Sequence, residues 1–185
     1  MNGRVVAVLG ISGVGKTTMV SAFTQGHPWV HSIRASALLK EVAAVDDVEI
    51  LRTASAADIR ANQDRLALAF SELRRRHPDH HIIFEGHSLI DNDEGVVVVP
   101  TTTFVKLSPD LIIFLEDSAD AILTRRLADA GRIRPRRSTE EISAHQQAAK
   151  EAALCYSAAL AIPHVIIQSG DAAAFEAALE ALGEA

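Results

Sequence analysis

Residues 10–18 read Gly-Ile-Ser-Gly-Val-Gly-Lys-Thr-Thr and follow directly on the apolar run Val5-Val6-Ala7-Val8-Leu9. The spacing satisfies G-x-x-x-x-G-K-[ST], a phosphate-cradling loop. Gly10, Gly13 and Gly15 free the backbone to curl, so that successive N–H groups converge on phosphate oxygens. Lys16 brings a point charge to the β- and γ-phosphates, and the Thr17 hydroxyl is the expected Mg²⁺ ligand. A helix beginning near Lys16 aims its positive end at the same anion. The residues expected to line the nucleotide phosphates are Gly10, Ser12, Gly13, Val14, Gly15, Lys16, Thr17 and Thr18.

A Mg²⁺-nucleotide site also needs an acid at the tip of a neighbouring strand. Two candidates present themselves. Glu85 ends the run His-Ile-Ile-Phe-Glu and is followed by Gly86-His87-Ser88. Glu116-Asp117 follow Leu-Ile-Ile-Phe-Leu, which fits the pattern of an apolar run plus acid better on paper, but a strand end and a helix cap give the same letters. Position favours Glu85 as the metal acid. His87, next to it, either meets substrate or hydrogen-bonds the loop. His77, His80, His81 and His87 invite a metal reading, but their spacing fits no common zinc pattern and no cysteine joins them.

Arg125, Arg126, Arg132, Arg134, Arg136 and Arg137 fall within thirteen residues, with Gly131 and Pro135 among them. A solvated basic face would look the same. In a chain of net charge −6, however, so local a concentration suits a closing flap. One guanidinium well placed over a transferring phosphoryl contributes about 4–7 kcal/mol.

Elements must position these groups. Val5–Leu9, His81–Phe84, Leu111–Leu115 and Val165–Gln168 read as buried parallel strands, and Trp29–Ile33 as a weaker fifth. Helices are predicted between them. Ser55–Arg76 carries the stripe Ile59, Leu66, Phe70 and Leu73 and stops at Pro78. Ser118–Ala130 places Leu123, Leu127 and Ala130 on one face. Ser138–Leu160 opens with a capping box at Ser138 and Glu141, and Asp171–Leu182 buries Phe175, Ala178, Leu179 and Leu182. Alternating strands and helices predict a parallel sheet covered on both faces, with ligands at the carboxyl ends of the strands.

The 185 residues suit one domain. An excess of 24 acidic over 18 basic residues disfavours non-specific nucleic-acid binding. The lone Cys155 rules out an internal disulfide and suits a reducing cytoplasm. No apolar run is long enough to span a membrane, and the strand expected near the N-terminus argues against a signal peptide.

The motifs, in this order, resemble an archaeal-type adenylate kinase, a P-loop nucleoside monophosphate kinase. Val5 to Thr18 is similar to that family's first strand and loop, and Glu85-Gly86-His87-Ser88 resembles its Asp-Thr-His-Ser. Pro109 to Ile113, Glu116 and Ala121 to Arg126 resemble its fourth strand and next helix, and Arg132-Ile133-Arg134 its flap. His145-Gln146, Lys150 and Tyr156 resemble its long penultimate helix. The resemblance implies a P-loop three-layer sandwich with a five-stranded parallel sheet. It implies an acceptor-side insertion over about residues 34–76 and a flap over about 125–138. It also implies ATP and Mg²⁺ as cofactors, nucleotide substrates and a homo-oligomer. By the same resemblance Lys16, Arg126, Arg132 and Arg134 act in catalysis and Arg125 binds nucleotide. Ser36, Arg52, His87 and Lys150 meet the acceptor, and Thr17 and Glu85 hold the metal.

The chain departs from the family at Glu85 for Asp, Pro135 for Asp, Lys150 for Arg and throughout Asp91–Val99. The expected activity is Mg-ATP-dependent phosphoryl transfer to a nucleoside monophosphate, most simply AMP. A kinase of another small acceptor and a regulatory or assembly ATPase are the alternatives. A guanine-nucleotide switch is disfavoured, because neither Asn-Lys-x-Asp nor Asp-x-x-Gly occurs.

Overall fold

The structure is a computed structural model that describes residues 3–43, 55–92, 95–129, 131 and 134–180. The first strand, β1 (Val5–Leu9), is buried along its whole length. An uninterrupted apolar run of this kind is stable only inside a parallel sheet with neighbours on both edges. β1 pairs in parallel with β3 (His81–Glu85) on one side and with β6 (Leu111–Glu116) on the other. β2 (Val30–Arg34) and β7 (His164–Gln168) complete a five-stranded sheet in the order β2-β3-β1-β6-β7. All five expected strands are present within a residue of their expected bounds.

Register decides what meets at the carboxyl ends. Val8 lies opposite Glu85, Arg34 opposite Glu85, and Leu9 opposite Phe114. The loop after β1, the acid at the end of β3 and the end of β6 therefore come out level.

The helices follow the same alternation. They are α1 (Lys16–Gly26), α2 (Ala35–Ala43), α3 (Ala56–Arg76), α4 (Thr101–Leu107), α5 (Ala119–Ala128), α6 (Thr139–Leu160) and α7 (Ala172–Glu180). They cover both faces: α1 packs on α7, while α4 bridges α3 to α6, which lies on β6. Serines start three of them. Ser55, Ser118 and Ser138 each accept a backbone N–H of the first turn, and the box at Ser138 and Glu141 is complete.

The expected face of α5 is corrected. Leu127 is 77% exposed, whereas Ile122 is fully buried. The face turned to the loop carries Ile122, Arg125 and Arg126, at i, i+3 and i+4, so polar function occupies the inward side that an apolar-stripe reading assigns to leucines. Ala130 and Leu182 lie outside the described residues. Two features had no sequence expectation. α2 follows β2 directly, and an antiparallel pair, β4 (Leu89–Asn92) with β5 (Gly95–Val98), overlaps the segment Asp91–Val99; in it Asp91 faces Val96.

One buried contact ties this pair to the site. Tyr156 of α6 is 2% exposed, and its hydroxyl reaches the carbonyls of Ser88 and Val99, while the Ser88 hydroxyl donates to the Ala149 carbonyl at 2.7 Å. α6 thus clamps both the segment after Glu85 and the end of β5. Tyr156→Phe leaves buried carbonyls short of a donor, which costs about 1–3 kcal/mol. Urea unfolding should show a lowered midpoint with an unchanged slope; an unchanged midpoint would show that the clamp contributes nothing.

Candidate phosphate-binding site

The loop between β1 and α1 is left-handed at Gly13 (φ 85°) and Gly15 (φ 106°). A side chain would be strained at either position. Space excludes one as well: a Cβ on Gly13 would lie 2.9 Å from Cγ of Arg126, and one on Gly15 would lie 2.6 Å from the Ser169 hydroxyl. Unlike the serine-capped helices, α1 has no side-chain cap. Its first N–H groups and dipole are directed at whatever occupies the loop.

Lys16 is buried, and its ammonium donates to the carbonyls of Gly10 (2.7 Å) and Ile11 (3.1 Å). The loop's own carbonyls hold the charge over the loop. His87 braces the loop, with Nδ1 2.9 Å from the Gly10 carbonyl. Glu85 is buried at the tip of β3, where Oε2 accepts from the Thr17 hydroxyl at 2.8 Å and Oε1 from Ser32 at 2.9 Å. A hydroxyl and a carboxylate set together at the end of the loop suit a small hard cation that keeps water and phosphate as its other ligands. Among the described residues, no three of His, Cys, Asp and Glu are grouped to hold a metal by themselves. His77, His80 and His31 instead stack ring on ring.

Glu116 has another role. It accepts from Lys150 at 2.9 Å and from Gln168 at 2.8 Å, binding β6 to α6 and β7. Lys150 is thus held at the end of β6 by Glu116. Ser36 is exposed in the first turn of α2, two residues beyond the Arg34 that pairs with Glu85. Arg52 and Arg132 lie outside the described residues.

The arginines of α5 and the segment after it turn to the loop. Arg125 pairs with Asp117 and reaches the Val14 carbonyl and the Ser169 hydroxyl, each at 3.4 Å. Arg126 donates from Nε to the Ser12 carbonyl at 2.9 Å, and Arg134 from Nε to the Ser12 hydroxyl at 3.0 Å. Arg137 pairs with Asp91 at 2.9 Å, while Arg136 is exposed. Burial lowers the pKa of Arg126, Asp91 opposes that shift, and Arg134 and Arg137 add to it. Among the described residues, the buried side-chain polar atoms without a partner are Arg126 Nη2, Arg134 Nη1 and His145 Nε2. Unpaired buried donors are costly, and an anion brought against the loop would satisfy those of the two arginines.

Ser32 and Ser169 carry no sequence signal for a place in this neighbourhood. Asp117 stands in the sequence beside Glu116, His145 within the family-like helix pattern and Asp91 in the segment that departs from the family, but no local pattern gives the contacts they make here.

A glycine loop joining a central parallel strand to an uncapped helix, with lysine, hydroxyl and acid gathered on it, defines a P-loop phosphate-binding protein. A family profile described as "AAA domain" matches residues 9–143. The adenylate kinase of Methanothermobacter thermautotrophicus is 28% identical over 158 residues, covering 83% of this chain and 84% of that protein. The adenylate kinase of Pyrococcus abyssi is 30% identical over 159 residues, covering 83% and 80% respectively. Among solved structures, shikimate kinase from Bacteroides thetaiotaomicron superposes with a TM-score of 0.58 at 18% identity, covering 98% of this chain and 97% of that one, a likeness of fold. The chain belongs to this AAA-domain family of P-loop kinases and, within it, to the archaeal-type adenylate kinase group. No helix among the described residues is long and apolar enough to cross a membrane.

Gly13→Ala combines a left-handed φ with a clash against Arg126. The strain of about 1–3 kcal/mol should weaken Mg-ADP binding by roughly tenfold or more in a calorimetric titration. Unchanged affinity would mean that Arg126 moves aside without consequence.

Proposed function

We propose that this protein transfers the γ-phosphoryl group of Mg-ATP to a nucleoside monophosphate, with AMP as the preferred acceptor. The observation that carries the reading is the convergence on one glycine loop of Lys16, the Thr17–Glu85 pair and the unpaired nitrogens of Arg126 and Arg134. Adenylate kinase-like P-loop kinases use ATP with Mg²⁺. In that role the loop N–H groups and Lys16 hold the polyphosphate, and Thr17 and Glu85 hold the cation, whose charge offsets that of the phosphates. Arg125, anchored by Asp117, stays beside Val14 as a nucleotide contact. Arg126, Arg134 and Arg132 cover the terminal phosphoryl as the flap closes. No side-chain nucleophile is required for this step, because the acceptor oxygen attacks and the protein positions and neutralises.

Arg52, Ser36 and the segment from His87 into β4 make up the acceptor side in this reading, with Lys150 behind it. Arg52 supplies the bidentate fork that a phosphate dianion calls for. The insertion (about 34–76) and flap (about 125–138) would then move on one P-loop kinase domain spanning the chain. A second acceptor class, a small non-nucleotide compound, is favoured by one observation: the carboxylate of Asp91 lies well inside this region, at 11% exposure.

The deciding assay is ADP release from Mg-ATP with AMP, with each other nucleoside monophosphate, and with none. Turnover should depend on AMP, and ATP consumption independent of every monophosphate would leave an ATPase or another acceptor. Lys16→Ala should lower turnover by roughly three orders of magnitude or more with the fold intact; normal turnover would remove the donor site from the loop. Glu85→Gln should raise the Mg²⁺ requirement and lower kcat. Glu116→Gln, which removes only the anchor of Lys150 and Gln168, should lower Tm with kcat kept. The opposite ranking would move the metal acid to β6.

A further inference from the structure

The donor-site reading leaves one buried group unexplained. His145, in the second turn of α6, is 9% exposed, and its Nε2 has no partner. Its Nδ1 faces the Asp91 carboxylate at 3.7 Å, and the other oxygen of that carboxylate holds Arg137. A buried imidazole nitrogen with nothing to bond is unfavourable, and such atoms in folded proteins generally have a purpose. The surroundings suggest what this one is for. Arg126, Arg137 and Lys16 all lie within electrostatic reach of the ring. Lys16 belongs to the loop and both arginines to the flap segment, and Arg126 shares with His145 the condition of an unpartnered buried nitrogen.

We propose that His145, oriented by Asp91, is a further contact for the terminal phosphoryl group of the donor nucleotide. The inference rests on the donor-site reading above. The Asp91 carboxylate favours the hydrogen on Nδ1, so in the empty protein Nε2 presents a lone pair rather than a donor. Burial, and then the positive charges of Arg126, Arg137 and Lys16, lower the His145 pKa, with Asp91 alone opposing them. On its own helix the nearest acid, Glu141, is itself engaged by Arg137. A polyphosphate reverses this balance. Its negative charge offsets the three cations and favours protonation of Nε2, which then donates to a phosphoryl oxygen. The proton comes from solvent, and no covalent bond changes. Asp91 acts through His145 and Arg137 and is a positioning residue.

The consequence is proton uptake on binding. The bound pKa lies above the free one, so affinity is greatest at low pH and falls as pH rises through the bound value. The test is calorimetric titration of the full chain with the Mg²⁺ complex of β,γ-methylene-ATP, in buffers of differing ionisation enthalpy, from about pH 6 to about pH 8. Mg-ADP, which lacks the terminal group, is titrated in parallel. Wild type should take up a proton with the triphosphate analogue beyond any taken up with Mg-ADP. His145→Gln should lose that excess and bind the analogue about tenfold more weakly, as loss of one charge-assisted hydrogen bond predicts. Asp91→Asn, which keeps the ring, should retain binding but shift the proton uptake to lower pH.

Identical uptake and affinity in wild type and His145→Gln would overturn the proposal while leaving the donor site standing, provided Lys16→Ala abolishes binding. An Asp91→Asn profile identical to wild type would overturn the positioning role. Failure of the wild type to bind either nucleotide would overturn both readings.

Discussion

The structure depends on holding several cations close together around one turn of backbone. A chain of net charge −6 places Lys16, Arg125, Arg126, Arg134 and Arg137 on or beside a single glycine loop. Like charges gathered in a partly buried cleft repel one another, and burial adds to the cost. The protein offsets this locally. Carbonyls of Gly10, Ile11 and Ser12 accept from Lys16 and Arg126, Asp117 pairs with Arg125, Asp129 with Arg134, and Asp91 with Arg137. What is left over, the bare nitrogens of Arg126 and Arg134, is the affinity for an anion. The geometry is complementary to a ligand more highly charged than anything the chain itself supplies.

The remainder of the fold serves that arrangement. β1 is central, so the loop at its end cannot shift without disturbing two neighbours, and register fixes Glu85 beside it. α6 reaches across the other side. Tyr156 and the Ala149 carbonyl hold the segment after Glu85, Lys150 holds Glu116, and His145 faces Asp91. One long helix thus contacts the segment after β3, the end of the β4–β5 pair and, through Asp91, the partner of Arg137.

The strands and the loop were legible in sequence because both are dictated locally. A run such as Val5–Leu9 has few alternatives to a buried strand, and Gly10–Thr17 specifies its own conformation. The placement of Glu85 is legible by position: an acid that ends a strand adjacent to β1 comes out level with the loop, and it accepts from the Thr17 hydroxyl at 2.8 Å. The arginines were legible as a cluster but not by partner. Their contacts to Ser12, Asp117 and Asp91 join residues far apart in the chain, which no local pattern encodes. For the same reason the face of α5 is legible only in part: Leu123 packs against the core as its spacing predicts, but Leu127 is exposed, and the side turned to the loop carries Arg125 and Arg126. The β4–β5 pair lies in a segment whose Asn92-Asp93-Glu94-Gly95 is a turn signal, but Leu89-Ile90-Asp91-Asn92 before it is too short and mixed to read as a strand alone.

The central claim is that the phosphoryl group held at this loop passes to a nucleotide and not to water. Phosphorus NMR of the protein with Mg-ATP and AMP tests it most directly. With transfer to the nucleotide, ATP and AMP signals decline together while only ADP signals grow. Growth of inorganic phosphate, with AMP unchanged, would contradict it.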